Sequence, residues 1–431
     1  MAIIRPFKGI HYNTNLVGSL DQVISPPYDI ITPMQRDALY ARGEFNFVRI
    51  ILNRPEPGDN SVEVPYLRAA HYLETWLETG VFVLDDENSF YVYEQEFTNP
   101  LDGERISRIG LFCVLKLSPY EDGVVLPHEE TRKKAKEDRL QLMRATSANT
   151  EPIFGLYEDE KNSVRSELMQ AMQASNPMLT ATVGDEIERV WRISDSVILS
   201  RISKMFEDAP IWIADGHHRY ETGLSYRDER RNALSTPPAD MACDYILIIL
   251  SAFNDPGLVV LPTHRLVRNI PSNTLAELAN NLRESFDVER MKSEEMLTRL
   301  AASDDTHRFG MVLAQGSYLL TLRDLDVAIG RITGHADVWK KLDVTLLQEL
   351  ILCGHLGISA EQLTTTPDIA YTRDTHEALN KVTGGEFQVA FILSPPHADD
   401  VRRVALSHEK MPPKSTYFYP KQWSGLLLRK L

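Results

Sequence analysis

Ile211-Trp212-Ile213-Ala214-Asp215-Gly216-His217-His218-Arg219-Tyr220-Glu221-Thr222 packs an apolar run, a glycine and a cluster of ionisable groups into twelve positions. The apolar run predicts a short buried strand over 211–214. Gly216 permits a tight turn. A helix is expected to start within His217-His218-Arg219 and to run to about Arg227. The start of a helix presents unpaired N–H groups and a partial positive charge, which suits an anion. Arg219 adds a planar fork of donors that can grip phosphate oxygens in pairs. His217 and His218 add donors that titrate near neutral pH. Asp215 could hold a magnesium ion or orient a histidine. The plainer alternative is a helix capped by Asp215 with its histidines in solvent.

Upstream, Pro127-His128-Glu129-Glu130-Thr131 leads into a charged helix from Arg132 to about Ala145. A carboxylate beside a histidine can act as a general base when its surroundings tune it. The cations Arg132, Lys133, Lys134, Lys136, Arg139 and Arg144 could line a phosphate path, or form a solvated face. Further upstream, Phe90–Phe97 and Ile106–Leu117 flank Asn99-Pro100-Leu101-Asp102-Gly103, a hairpin signal. Val64–Thr79 repeats apolar residues at helical spacing up to Gly80. In Ser25-Pro26-Pro27-Tyr28-Asp29 two prolines force a turn that could set Tyr28 and Asp29 against a substrate, with Thr32 capping the helix that follows. Strands are expected at Val190–Ile193 and Tyr245–Ser251, and a helix over Ser194–Phe206.

Downstream, Leu261-Pro262-Thr263-His264-Arg265 and the lysines Lys414 and Lys421 suit anions, although each alone reads as a surface feature. Asn269-Ile270-Pro271-Ser272-Asn273 is the best linker candidate. It divides the chain into 1–268, a catalytic core, and 269–431, an α/β region contributing to the site. The class is mixed α/β (α+β).

The 431 residues carry 46 Lys plus Arg against 61 Asp plus Glu, a net charge of -15. With no long basic run, the chain is a poor fit to a phosphate backbone, so no nucleic-acid partner is expected. A local cationic pocket for a small anion remains compatible with that balance. Cys113, Cys243 and Cys353 stand far apart, which reads as a reducing compartment, the cytoplasm. The opening Met1-Ala2-Ile3-Ile4-Arg5 lacks a signal peptide's apolar region. No apolar run is long enough to span a bilayer, so no membrane association is expected. A homo-oligomer is compatible with the sequence. There is no GxxxxGK[ST], GxGxxG or HExxH, and the protein-kinase signatures are missing.

Six stretches occur in order: Ile4-Arg5-Pro6-Phe7, Ser25 to Asp29, Pro127 to Thr131, Ala214 to Thr222, Pro262-Thr263-His264-Arg265, and Met411-Pro412-Pro413-Lys414-Ser415-Thr416-Tyr417-Phe418-Tyr419-Pro420-Lys421. Together they resemble the DUF1015 family of uncharacterised conserved prokaryotic proteins, over essentially the whole chain. Asp215 to Arg219 alone is similar to the phosphate-binding segment of free-serine kinases of the ParB/sulfiredoxin-type fold. That local resemblance implies a ParB/sulfiredoxin-like core with an inserted hairpin. It gives Gly216, His217, His218 and Arg219 the phosphate, and Asp215 a catalytic and magnesium-binding role. It also implies a catalytic glutamate earlier in the chain. Glu129, beside His128, is the choice, with Glu130 its rival. Tyr28, Asp29, Thr131, His264, Arg265 and Lys414 are the expected substrate contacts. The resulting expectation is a small-molecule kinase using ATP, ADP or pyrophosphate and magnesium, with free L-serine the plausible acceptor. A metal-dependent hydrolase ligated by His128, His217 and His218 is one alternative. Adjacent helical histidines point about 100° apart, which counts against it. A non-catalytic nucleotide-binding regulator is the other.

Overall fold

The structure, a computed structural model, describes residues 2–207, 209–301 and 306–431. It divides into two compact units, residues 1–259 with 420–431, and residues 260–419. The expected linker at 269–273 is not the divide. His264–Val267, which precedes it, already belongs to the second unit's sheet. The last twelve residues return to the first unit, so the 269–431 region is not one body.

The first unit is built on a mixed sheet. Its strands lie in the order Val125–Leu126, Ile211–Asp215, Ile153–Tyr157, Tyr245–Ala252, Arg105–Lys116, Phe90–Thr98, Glu186–Ile193 and Leu179–Val183. Ile211–Asp215 runs parallel to Val125–Leu126 and antiparallel to Ile153–Tyr157. The hairpin forms as its turn chemistry predicts, Phe90–Thr98 against Arg105–Lys116 with Gly103 at φ +79°. Tyr245–Ala252 is buried at every position, as a strand covered on both faces must be. On one face, Ile246, Ile248, Leu250 and Ala252 join Val92, Leu111, Cys113, Ile153, Ile213 and Tyr220 in one core.

The helix His217–Asn232 is polar overall, yet buries Arg219, Tyr220, Thr222, Gly223 and Tyr226 along one stripe. Gly223 is what brings it close to the sheet: a Cβ there would lie 2.6 Å from Ile246 Cδ1. The N-terminal helix Pro33–Arg42 starts with a full capping box between Thr32 and Gln35, and Val64–Glu78 forms the expected amphipathic helix.

The second unit holds a six-stranded antiparallel sheet in the order Phe286–Met291, Gly316–Leu322, Arg308–Leu313, Val389–Ile392, His264–Val267, Ile369–Thr372. Leu266, Met296, Leu319, Val382 and Ala390 pack in its core. Among the described residues no helix is long and apolar enough to cross a membrane.

Candidate active site at the start of the His217 helix

The strand Ile211–Asp215 slips register between Ile213 and Asp215 against Ile153–Tyr157. Such a bulge re-aims the side chain that follows it. Gly216 then turns the chain at φ +94°, open to glycine at little cost, and no side chain caps the helix it starts. Arg219 folds back over this turn; a Cβ on Gly216 would stand 3.0 Å from its Nε.

Arg219 is 9% exposed. It donates to Asp215 Oδ2 at 2.6 Å and to the Pro152 carbonyl. The other carboxylate oxygen, Oδ1, accepts from Lys421 Nζ at 2.6 Å. Burial alone would raise the pKa of Asp215, but Lys421 and Arg219 overcome it and hold the carboxyl well below its usual range. Burial acts against Arg219's charge, and Asp215, Glu151, Asp29 and Tyr28 outweigh it, so its pKa is raised. Asp215 is thus a permanent anion that fixes two cations beside an uncapped helix start.

The histidines face the other way. The backbone N–H of His128 donates to His217 Nε2 at 3.1 Å, and that of Arg132 donates to His218 Nε2 at 2.8 Å. A ring nitrogen that accepts carries no proton, so each neutral ring is protonated at Nδ1. Consecutive helical side chains diverge by about 100°, which lets these two seize points four residues apart on one strap. Glu221, one turn on from His217, completes the grip by accepting from Thr131 Oγ1 and Lys136 Nζ, both at 2.7 Å. The pair expected to bind phosphate and the Thr131 hydroxyl expected to meet substrate therefore hold the 128–136 segment in place. That hold brings Glu129 Oε2 to 3.8 Å from His217 Nδ1. His217 is buried, whereas the Glu129 side chain is 38% exposed.

His128 donates Nδ1–H to the Ile213 carbonyl at 2.7 Å. Burial pushes its pKa down to about 4, so it is a neutral core residue rather than a proton carrier. Burial also lowers the pKa of His218.

Tyr28 and Asp29 come to the same place. The Tyr28 ring lies 3.9 Å under the Arg139 guanidinium, and its backbone N–H donates to Glu151 Oε1 at 3.1 Å. Asp29 is exposed and acts electrostatically on both His218 and Arg219. Of the expected cationic row, Arg132, Lys133 and Lys134 are exposed, and the other three are engaged. Lys136 pairs with Glu221, Arg144 with Glu229, and buried Arg139 serves Asp138, Glu151 and the Ile51 carbonyl.

Glu151 carries no signal in the sequence, and Lys421, which alone reads as an anion-suiting surface lysine, proves to be a partner of Asp215. Glu151 is buried between Arg139, Tyr28 and Ser424, and burial raises its pKa despite Arg219 and Arg139. Lys421 reaches Asp215 because Ser25 and Ser424 exchange backbone hydrogen bonds of 3.0 and 2.8 Å, while Arg108 holds the Pro420 carbonyl at 2.6 Å. The available signal was the apolar run Leu426-Leu427-Leu428, which marks residues 420–431 as a packed strand-like segment.

Lys414, His264 and Arg265 lie in the second unit. His264 is a satisfied core histidine: Nδ1 accepts from the Leu393 N–H at 3.3 Å and Nε2–H donates to Thr375 Oγ1 at 3.0 Å. Arg265 donates to the Thr263 and Lys414 carbonyls. His264 and Arg265 are thus engaged in bonds internal to that unit, whereas the Lys414 side chain is exposed and its carbonyl accepts from Arg265.

Magnesium does not fit Asp215. The ion needs carboxylate oxygens turned toward it, together with substrate phosphates. Each Asp215 oxygen already accepts from a cation, and a dication would stand beside both. Among the described residues no group of three His, Cys, Asp or Glu is arranged to hold a metal. His217 and His218 turn Nε2 to backbone donors, which leaves only Nδ1 of each ring to a metal.

A family model described as "Protein of unknown function (DUF1015)" matches residues 4–345. No curated protein matches. Solved structures show partial similarity. A conserved hypothetical protein from Pyrococcus furiosus is 14% identical at TM-score 0.32, covering 74% of this chain and 95% of its own. A free serine kinase in complex with AMP is 13% identical at 0.32, covering 72% and 86%. SbnI with C-terminal truncation from Staphylococcus aureus is 10% identical at 0.35, covering 72% and 85%.

Proposed function

The chain belongs to the DUF1015 family, and from that premise we propose that it is a phosphotransferase, a small-molecule kinase acting on a hydroxyl acceptor. The observation that carries this reading is the convergence of Arg219 and Lys421 on Asp215 at an uncapped helix start. The trio has a net charge of +1, and the helix end adds its partial positive charge. Together they favour an anion while leaving the fold stable without one. The local similarity of Asp215 to Arg219 to free-serine kinases adds free L-serine as acceptor. ATP, ADP or pyrophosphate would serve as donor. Magnesium enters only as a counter-ion of the donor's phosphates, since Asp215 does not fit it. A cytoplasmic location accompanies this chemistry.

In the proposed reaction the donor's terminal phosphate lies against the helix start and Arg219. The acceptor oxygen attacks phosphorus, a new P–O bond forms, and the bridging P–O bond to the donor breaks. The hydroxyl proton passes to Glu129, and the donor leaves one phosphoryl group shorter. Such transfer depends chiefly on positioning and on neutralising charge. Asp215 supports it by keeping both cations charged and aimed. His217 and His218 support it by fixing the segment that carries Glu129.

The test is incubation of the pure protein with magnesium and each donor against a panel of hydroxyl metabolites, read by mass spectrometry. A phosphorylated acceptor is the expected outcome. Nucleotide binding without product from any donor would replace this reading with the regulatory one.

A further inference from the structure

The first unit contains a second cationic cleft, of about 420 Å³, which no part of the proposed reaction uses. Arg5, Lys8, Arg429 and Lys430 line it, against a single lining carboxylate, Asp240. Two of these cations are compensated: Arg5 pairs with Asp240 at 2.5 Å, and Lys430 pairs with Glu74. Tyr245 fixes Asp240 in that pairing by donating its hydroxyl at 2.8 Å. Among the described residues, Lys8 and Arg429 have no carboxylate within ion-pair distance.

Arg429 is the informative member. It is held in the strand Arg429–Lys430 by pairing with Ala148–Asn149. Its guanidinium donates to the Tyr245 and Ala242 carbonyls at 2.9 and 3.0 Å. Carbonyl dipoles fix its direction without cancelling its charge, and burial pushes its pKa down to about 10. A half-buried cation without a counter-charge is costly. The cost falls when an anion enters.

We propose that this cleft binds a small phosphate dianion, either inorganic phosphate or a phosphate monoester. Two uncompensated positive charges call for about two negative ones, and a phosphate monoester carries roughly -1.5 to -2 at pH 7. The free directions of the Arg429 fork suit paired oxygens. In a chain of net charge -15, such a local cationic concavity draws a small anion rather than an extended polyanion. The site is independent of the reaction proposed above.

The test uses the full chain and thermal melting in rising inorganic phosphate, with sodium chloride at matched ionic strength as reference and glycerol 2-phosphate as the monoester arm. Phosphate or the monoester is expected to raise the melting temperature beyond chloride, and the stronger of the two identifies the source. Lys8→Glu, at an exposed position, should keep the basal melting temperature and weaken the apparent affinity about tenfold or more, the scale of a lost charged contact. Arg429→Met should act in the same direction. Arg219→Lys should leave the Lys8-dependent response intact, which separates this site from the one at the His217 helix. Responses of Lys8→Glu and Arg429→Met equal to the unaltered protein's would overturn the proposal, as would a phosphate effect no larger than that of chloride.

Discussion

Lys421 Nζ stands 2.6 Å from Asp215 Oδ1, a contact between residues 206 positions apart. Together with Arg219 on Oδ2, it turns what reads as a helix cap or metal ligand into the fixed counter-charge of two cations. The two cations are therefore charged and fixed in place before any ligand arrives. A phosphate would join a preformed array instead of assembling one.

Removing one cation should expose that dependence. Lys421→Met leaves a buried carboxylate with half its support, a loss of the kind that costs about 3 kcal/mol or more. The double variant Lys421→Met/Asp215→Asn should recover part of it, because an amide needs no counter-charge. Urea unfolding of both variants checks this. Equal destabilisation in the two would show that Lys421 does not act through Asp215.

Arg219→Lys should fold and lose activity. A lysine keeps the charge but cannot serve Asp215 and the Pro152 carbonyl together while presenting a fork to phosphate. Turnover is expected to fall by about a hundredfold or more, as for loss of a charge-stabilising donor, with a cooperative melt retained. Unchanged turnover would show that Arg219 does not meet the transferred group.

The histidine clamp has its own readout. His218→Ala removes the acceptor of the Arg132 N–H, so hydrogen exchange at the Arg132 amide should quicken by about tenfold, the scale of one lost hydrogen bond. Exchange in the middle of the His217–Asn232 helix should stay as it was. An unaltered Arg132 amide would mean that His218 does not hold the segment carrying Glu129.

Two buried histidines set an acid limit. His128 and His264 both titrate near pH 4 when folded, chiefly because they are buried, while an unfolded histidine titrates near about 6.5. Between those values the unfolded chain binds more protons, so stability rises with pH across the window. Their contribution is complete above about pH 6.5 and is lost as pH falls toward 4. The fall in melting temperature from pH 7 to pH 5 should be smaller in His264→Gln than in the unaltered protein. An equal fall would show that His264 does not titrate in this range.

Local chemistry made much of the fold legible. The apolar run before Asp215, the Gly216 turn, the Thr32 cap and the Asn99–Gly103 turn each announce structure within a few residues, and each forms. That polar motifs with no local reason to exist should share a site was legible as an expectation; Tyr28 and Asp29 act electrostatically on Arg219, and Glu129 Oε2 stands 3.8 Å from His217 Nδ1. Direction was not legible. Nothing in His217-His218 shows that both rings turn to backbone N–H groups of the 128–132 strap, because that depends on where the strap lies. Lys421 read as a surface lysine since its partner lies 206 positions away in the sequence. His264-Arg265 read as an anion site because an alternating sheet core can hide a polar pair whose hydrogen bonds are all internal.

The most direct test of the central claim compares the unaltered protein with Glu129→Gln, supplied with magnesium, a phosphoryl donor and L-serine, counting phosphorylated product by mass spectrometry. The amide keeps the shape of the side chain and an acceptor oxygen but cannot take the hydroxyl proton. Product is expected from the unaltered protein, with a fall of about a hundredfold or more in the variant, the scale of general base catalysis, and donor binding little changed. Equal product from the two proteins would contradict Glu129 as the base. No product from the unaltered protein with any donor or hydroxyl acceptor would contradict the phosphotransferase itself.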